Sequence, residues 1–273
     1  MTSAQLKAMH YADWIHRLYI DDEPTLNRKS IRSITFQVTD ECCYNCSYCY
    51  QICKGHRKMS KETAKAGIDL LFKMWDEDNP EAIVNKSTKG ITLDFIGGEP
   101  LMNVEIIDYI CSYFVEQCLE KSHPWLFFWR ASMISNGALY FEPEVQEFLK
   151  KFKGFISFGI TIDGPKEIHD ACRKWPNGEG TFETSYSALK HFNENYYANS
   201  STKVTIAPEN LKDLNKIIKF FIDENVTIIY ANPVFEVEWT IEQAKEYYQE
   251  LIKMADYLLE LDNKDTYISL FQE

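Results

Sequence analysis

Apolar residues recur along this chain in two alternating rhythms. Short runs rich in β-branched and aromatic residues, at Ile34–Thr39, Ile91–Ile96, Phe127–Ile134, Phe155–Ile162, Val204–Ala207 and Val226–Ala231, read as strands. Between them lie segments with apolar residues at helical spacing. Ser60–Trp75, with Ala64, Ile68, Leu71 and Met74 on one stripe, is the first. Ile106–Leu119, Pro143–Phe152, Phe182–Asn193, Leu211–Glu224 and Ile241–Leu261 follow. Strand–helix units repeated in this order predict an α/β fold with a parallel sheet and right-handed crossovers. Six such units are two short of a closed eight-stranded barrel. The expected architecture is therefore a partial, TIM-like (β/α)6 barrel with its reactive face at the strand C-terminal ends.

Three segments divide the chain. Residues 31–235 form the expected core. Residues 1–30 lie outside the repeat; Leu6, Met9, Trp14, Ile15, Leu18 and Tyr19 there predict an amphipathic helical extension packed on the core, ended by Asp21, Asp22 and Pro24. Residues 236–273 hold the last helix and the start of a further extension, where the chain is expected to be cut short. Repeats at solenoid spacing and low-complexity tracts are not seen.

Composition narrows the function. The chain has 273 residues and a net charge of −12, which disfavours nucleic acid, because phosphate binding needs a basic face. No run approaches the roughly 18 apolar residues of a membrane span, and Asp13, His16 and Arg17 interrupt any signal-like stretch. Eight cysteines stand at 42, 43, 46, 49, 53, 111, 118 and 172, five of them within 42–53. That crowding suits metal ligands better than local disulfides, so a reduced, cytoplasmic protein is expected. Cys111 and Cys118 read as core residues, and Cys172 as a structural thiol.

The chemistry collects at strand ends. After the first strand come Cys42, Cys46 and Cys49, spaced C-x3-C-x2-C. Four thiolates close an iron–sulfur cube, whereas three leave one iron open to a ligand. A second triad, Cys43, Cys46 and Cys49, is also available, and Cys53 lies close by; the 42/46/49 set is preferred for its spacing and for Tyr48. The second strand ends in Gly97-Gly98-Glu99-Pro100, whose glycines allow close backbone approach and whose Glu99 suits a cation. The third ends in Ser135-Asn136-Gly137, by itself a common turn. The fourth ends in Thr161-Ile162-Asp163-Gly164-Pro165, followed by His169-Asp170 and by Arg173, whose planar fork suits a carboxylate.

This ordered set resembles the radical S-adenosylmethionine (SAM) enzymes, in the branch of anaerobic sulfatase-maturating enzymes and radical peptide maturases. The resemblance spans about residues 32–235 and is carried by the cysteine triad with Tyr48, the Gly97–Pro100 run, Ser135–Gly137, Asp163–Pro165 with His169, Asp170 and Arg173, and Gly180-Thr181-Phe182. It implies that Cys42, Cys46 and Cys49 hold a [4Fe–4S] cluster whose fourth iron chelates SAM. It also implies that Tyr48 lies by the adenine, that Gly97, Gly98 and Glu99 bind the SAM amino group, and that Thr161 and Arg173 contact the sugar and carboxylate. Ser135, Asn136 and Asp163 complete the implied cofactor-binding set. The implied reaction is reductive cleavage of SAM to a 5′-deoxyadenosyl radical that takes hydrogen from a peptide or protein side chain, with thioether formation one outcome. An electron donor of the flavodoxin or ferredoxin kind is the implied partner. Position 43 is cysteine where asparagine is common, and Thr161 replaces a usual serine. The cysteine-rich C-terminal region common in this branch has no counterpart after Cys172. Two alternatives stay in view: a formylglycine-generating sulfatase maturase, and a non-catalytic iron–sulfur or zinc module using Cys43, Cys53 or His56 as fourth ligand.

Overall fold

The structure is a computed structural model that describes residues 31–51, 54–196, 201–261 and 266–271. The helix expected within residues 1–30 and the thiol of Cys53 lie outside them. The strands are β1 (Ile31–Thr39), β2 (Gly90–Gly97), β3 (Trp129–Ser135), β4 (Ile156–Thr161), β5 (Ser201–Ile206), β6 (Ile228–Pro233) and β7 (Tyr267–Ile268). The helices are α1 (Lys61–Lys73), α2 (Val104–Glu120), α3 (Pro143–Lys151), α4 (Lys166–Cys172), α5 (Phe182–Asn195), α6 (Leu214–Asp223) and α7 (Ile241–Glu260). The strands follow chain order in one seven-stranded sheet, and the pairs β1/β2, β2/β3, β4/β5, β5/β6 and β6/β7 are parallel. The α/β repeat with a parallel sheet is as the hydrophobic pattern predicts, with a seventh short strand added.

The chain divides into two compact units. Among the described residues, one holds Ile31–Glu41, Gly55–Met133 and Glu142–Ser157; the other holds those of 42–54, Ile134–Phe141 and those of 158–271. In the first, β2 alternates as a half-buried strand should, with Ile91, Leu93 and Phe95 buried. Ser60 starts α1 by accepting the Thr63 N–H at 3.2 Å, and Ala64, Ile68 and Leu71 form its buried stripe. An aromatic cluster closes this core. Trp125 is fully buried among Phe72, Trp75, Phe114 and His123, and its indole N–H donates to Thr88 O at 2.9 Å.

In the second unit, Val204 and Ile206 of β5 and Ile229 of β6 are buried, as are Leu214, Ile217, Ile218 and Phe221 of α6. The β6 strand begins two residues later than the apolar run suggests. Asn225 is left-handed (φ 57°), and the Val226 N–H donates back to Phe221 O at 2.9 Å, so Val226 finishes α6 rather than starting the strand. The last helix, α7, opens with a reciprocal capping box between Thr240 and Gln243. Cys111 and Cys118 are fully buried on α2, as expected of core thiols, and Cys172 is buried at the end of α4.

Candidate functional site

In the first unit, the end of β1 is held against the Gly-Gly-Glu-Pro run. Pairing slips between Gln37 and Thr39, so that Thr39 faces Gly97. The Gly98 N–H then donates to Thr39 O at 3.1 Å, and the Glu99 N–H to Glu41 O at 2.7 Å. A Cβ at Gly97 would stand 2.6 Å from Thr39 O, and one at Gly98 only 2.3 Å from Glu41 O. The close backbone approach that demands glycine here is made by the chain itself. Glu99 is buried, and its Oε1 accepts the Leu101 N–H at 3.1 Å, capping the short turn Pro100–Asn103. Asp40 takes Arg57 Nε at 2.6 Å and Gln37 Nε2 at 2.7 Å; the Arg57 hydrogen bond draws its carboxyl below the usual range.

The second unit contains the cysteine loop and most of the other expected site residues. The loop is strapped down by the Asn45 N–H to Lys174 O (2.7 Å) and the Ser47 N–H to Cys172 O (2.9 Å), and it turns where the Cys49 N–H meets Cys46 O (3.2 Å). Tyr44 anchors it, fully buried with its ring edge on Trp175. Its hydroxyl reaches Ser185 Oγ, which itself donates to Asn136 O at 2.6 Å. Cys42, Cys43, Cys46 and Cys49 are half-buried thiols outside any disulfide. The Asn136 amide Nδ2 stands 3.4 Å from Cys43 Sγ and 3.7 Å from Cys42 Sγ. Ser135 and Gly137 make this placement: the Gly137 N–H donates to Ser135 Oγ at 2.9 Å with Gly137 at φ +84°. A hydrogen bond from the Cys43 thiol, with the Tyr44 N–H and the charges of Lys54 and Arg173, brings the Cys42 thiol down to about 6 against the opposing effect of burial. Burial instead pushes Cys46 up to about 11.

Beyond β4, three side chains from distant parts of the sequence lock together. The Tyr48 hydroxyl donates to Asp163 Oδ2, and Arg173 Nη1 donates to the Tyr48 hydroxyl at 2.8 Å. Asp163 is fully buried, and its Oδ1 accepts the Thr205 N–H at 3.0 Å. Burial raises the Tyr48 phenol, which keeps its proton and donates it to Asp163; burial also raises the Asp163 carboxyl, against the lowering effects of Arg173 and of the Tyr48 hydrogen bond. Thr161 ends β4 buried, in register with Lys203 of β5.

His169, Asp170, Gly180 and Thr181, quoted above only as motif residues, hold Arg173 in place. The Asp163 N–H donates to His169 Nδ1 at 3.2 Å, and Thr181 Oγ1 donates to Arg173 O at 3.0 Å. His169 Nε2 must therefore carry the proton it shares with Thr181 Oγ1 at 3.0 Å, and burial keeps the ring neutral. Asp170 Oδ1 accepts both the Thr181 and Phe182 N–H groups at 2.8 Å. A Cβ at Gly180 would lie 2.1 Å from Asp170 Cγ, so only glycine fits. The spacing H-D-x2-R followed by G-T-F is thus the signature of a clasp around the arginine.

The residues present fit an anionic ligand and a thiolate-bound cluster. Arg173 is buried, and its Nε has no hydrogen-bond partner, which leaves a cationic donor open. Among the described residues, no three His, Cys, Asp or Glu side chains close on a single metal ion. Thiolates of a cube bind separate irons and need a wider triangle than ligands of one ion. His56, weighed above as a zinc ligand, lies 3.5 Å from Glu41 with its side chain 92% exposed.

A βα-repeat chain that carries a clustered-thiol loop after its first strand and a clasped, half-open arginine beyond its fourth has the layout of a strand-end cofactor enzyme. The chain belongs to the Radical SAM superfamily, whose family model matches residues 36–221. It is 26% identical over 215 residues to a cysteine-type anaerobic sulfatase-maturating enzyme of Clostridium novyi, covering 76% of this chain and 52% of that protein. It is 25% identical over 177 residues to the radical SAM cyclopropyl synthase TigE of Paramaledivibacter caminithermalis, covering 61% of this chain and 34% of the relative. Among solved structures, native anSMEcpe with bound AdoMet and the Cp18Cys peptide superposes with a TM-score of 0.68 at 21% identity, over 88% of this chain and 63% of that one. The fold class is that of the partial-barrel radical SAM core. The chain spans about half or less of the length of these two curated relatives. Among the described residues no helix is long and apolar enough to cross a membrane.

Proposed function

We propose that this protein is a radical SAM enzyme that modifies a side chain of a peptide or protein. Cys42, Cys46 and Cys49 would hold a [4Fe–4S] cluster, and the resemblance to the family assigns Tyr48, Gly97, Gly98, Glu99, Ser135, Asn136, Thr161 and Arg173 to SAM. When bound, these groups would supply reductive cleavage of SAM to methionine and a 5′-deoxyadenosyl radical able to take a hydrogen atom from the substrate. The chain's own residues prepare for this. The Cys43 hydrogen bond and, to a lesser degree, the cations Lys54 and Arg173 favour the thiolate of Cys42. The Asn136 amide offers hydrogen bonds to sulfur. The observation that carries the reading is the half-buried thiol loop strapped to the segment that bears Arg173, with the Arg173 Nε left open.

Support for a peptide or protein substrate comes from the relatives: one is named for sulfatase maturation, and a fold neighbour is titled with a bound peptide. Seven thiols outside any disulfide among the described residues accord with a reduced, cytoplasmic setting, where a flavodoxin or ferredoxin is the natural electron donor.

The test is anaerobic reconstitution with iron and sulfide, reduction with dithionite, and measurement of 5′-deoxyadenosine from SAM. Cleavage lost in Cys42→Ala, Cys46→Ala and Cys49→Ala but kept in Cys43→Ala is the expected result. A fully loaded wild-type cluster that leaves SAM intact would sink the proposal. A sulfatase-derived cysteine peptide, offered to the active enzyme, separates formylglycine formation from other peptide modifications by product mass.

A further inference from the structure

Arg173 is held from two sides, and only one of them is the clasp of His169, Asp170, Gly180 and Thr181. The other is the chain Asp163–Tyr48–Arg173. Asp163 has no exposed surface, and its carboxylate oxygens are engaged by the Thr205 N–H and the Tyr48 hydroxyl. A group so enclosed is poorly placed to touch a cofactor. Its action must pass through Tyr48. By accepting the phenolic hydrogen bond, Asp163 turns the Tyr48 oxygen lone pairs outward, and Arg173 Nη1 donates into them at 2.8 Å. One arm of the guanidinium is thereby fixed while Nε stays unpartnered and buried.

We propose that Asp163 is a positioning residue: through the Tyr48 hydroxyl it sets the rotation of the Arg173 guanidinium, so that Nε is aimed at the carboxylate of SAM. This rests on the radical SAM reading, and it moves Asp163 from the cofactor-contacting set implied by the resemblance to a supporting position. Asp163→Asn is the informative change. The new amide can still accept the Thr205 N–H through its oxygen, but its NH2 then faces the Tyr48 oxygen. Two donors, that amide nitrogen and Arg173 Nη1, would converge on the phenolic oxygen while the phenolic proton lost its acceptor. The phenol and the guanidinium cannot both keep their places.

The experiment compares two ligands on the anaerobically reconstituted protein by isothermal titration calorimetry. S-adenosylhomocysteine carries the carboxylate; 5′-methylthioadenosine has the same adenosine and thioether but no carboxylate. Asp163→Asn is expected to weaken S-adenosylhomocysteine about tenfold or more, the value of one well-aimed charge-assisted hydrogen bond. It should leave 5′-methylthioadenosine within about twofold and iron content unchanged. Tyr48→Phe keeps the ring and removes the hydroxyl, so the same selective loss is expected; it carries the test should Asp163→Asn fail to fold. Equal weakening of both ligands, or none, overturns the positioning role. If the wild-type protein binds neither ligand, the radical SAM reading itself falls, and the role of Asp163 with it.

Discussion

Alanine at Gly98 tests the close backbone approach at the end of β1. The new Cβ would stand 2.3 Å from Glu41 O, 2.7 Å from Glu41 C and 2.9 Å from Asp40 O, all backbone atoms that no rotamer change can move. Relief requires the segment after β1 to withdraw by roughly an ångström, which breaks the 2.7 Å bond from the Glu99 N–H to Glu41 O and strains the 3.1 Å bond from the Gly98 N–H to Thr39 O. Two hydrogen bonds at about 1 kcal/mol each, with about 1–3 kcal/mol of residual overpacking, oppose about 0.5–1 kcal/mol gained from a stiffer unfolded chain. The net loss is about 3 kcal/mol, or a fall in Tm of roughly 6–12 °C at 2–4 °C per kcal/mol. Gly178 is the control. It has φ +89° but nothing within 4 Å of its Cβ, so alanine there costs about 1 kcal/mol from backbone strain alone. Thermal and urea unfolding of the apo-protein under reductant measure both variants, and iron per chain after reconstitution reports whether the cysteine loop still loads. If Gly98→Ala melts no lower than Gly178→Ala, the argument from close backbone approach is wrong.

Three further outcomes are expected. Gly180→Ala drives its Cβ into the Asp170 carboxylate and releases the Thr181 and Phe182 N–H groups; urea unfolding should show a loss of about 2–3 kcal/mol, and an unchanged midpoint refutes the clasp. Asn136→Ala removes the amide beside Cys42 and Cys43, so an EPR redox titration of the reconstituted cluster should give a more negative potential, with no shift if the amide is merely structural. His123, among Phe72, Trp75 and Trp125, is held neutral by burial, from an ordinary 6.5 down to about 4. The unfolded chain takes up that proton first, so the contribution is full above pH 6.5 and is lost as pH falls to about 4. Urea midpoints of His123→Gln should therefore fall less steeply than wild type over this range; parallel curves would exclude the histidine as the cause.

Local rhythm carries most of the fold, and its failures have local causes. Ser60 marks the start of α1 because a serine oxygen satisfies a first-turn N–H. Val226 reads as a strand residue because its side chain is apolar, yet Asn225 in the left-handed region makes it the close of α6. The short helix α4, with seven residues, and the strand β7, with two, are too brief for periodicity to register. At the site, spacing within one loop exposes the cysteines. The partners of that loop are hidden, since Tyr48 and Asp163 are 115 positions apart and Cys43 and Asn136 are 93 apart. Gly97 and Gly98 read as room for close approach to a ligand; the structure sets the Thr39–Glu41 backbone against both, a neighbour that no single-strand pattern reveals.

The chain's net charge of −12 makes the treatment of Arg173 more telling. Where thiols cluster in an acidic protein, positive charge favours the thiolate, and Lys54 and Arg173 act on Cys42 in that sense, after the larger effect of the Cys43 hydrogen bond. Burying a guanidinium costs several kcal/mol unless its donors are met. Here Asp163 and Tyr48 meet part of that demand, while Nε is left unmet at a standing cost of about 1–3 kcal/mol. An anion that fills the site would relieve that cost, so the open donor would favour the anion-bound state over the empty one by a similar amount. A fully paired arginine would give a more stable empty protein and a weaker site. The clasp and the Asp163–Tyr48 relay hold the donor in that unsatisfied orientation before any ligand arrives, which is how a binding site is organised in advance.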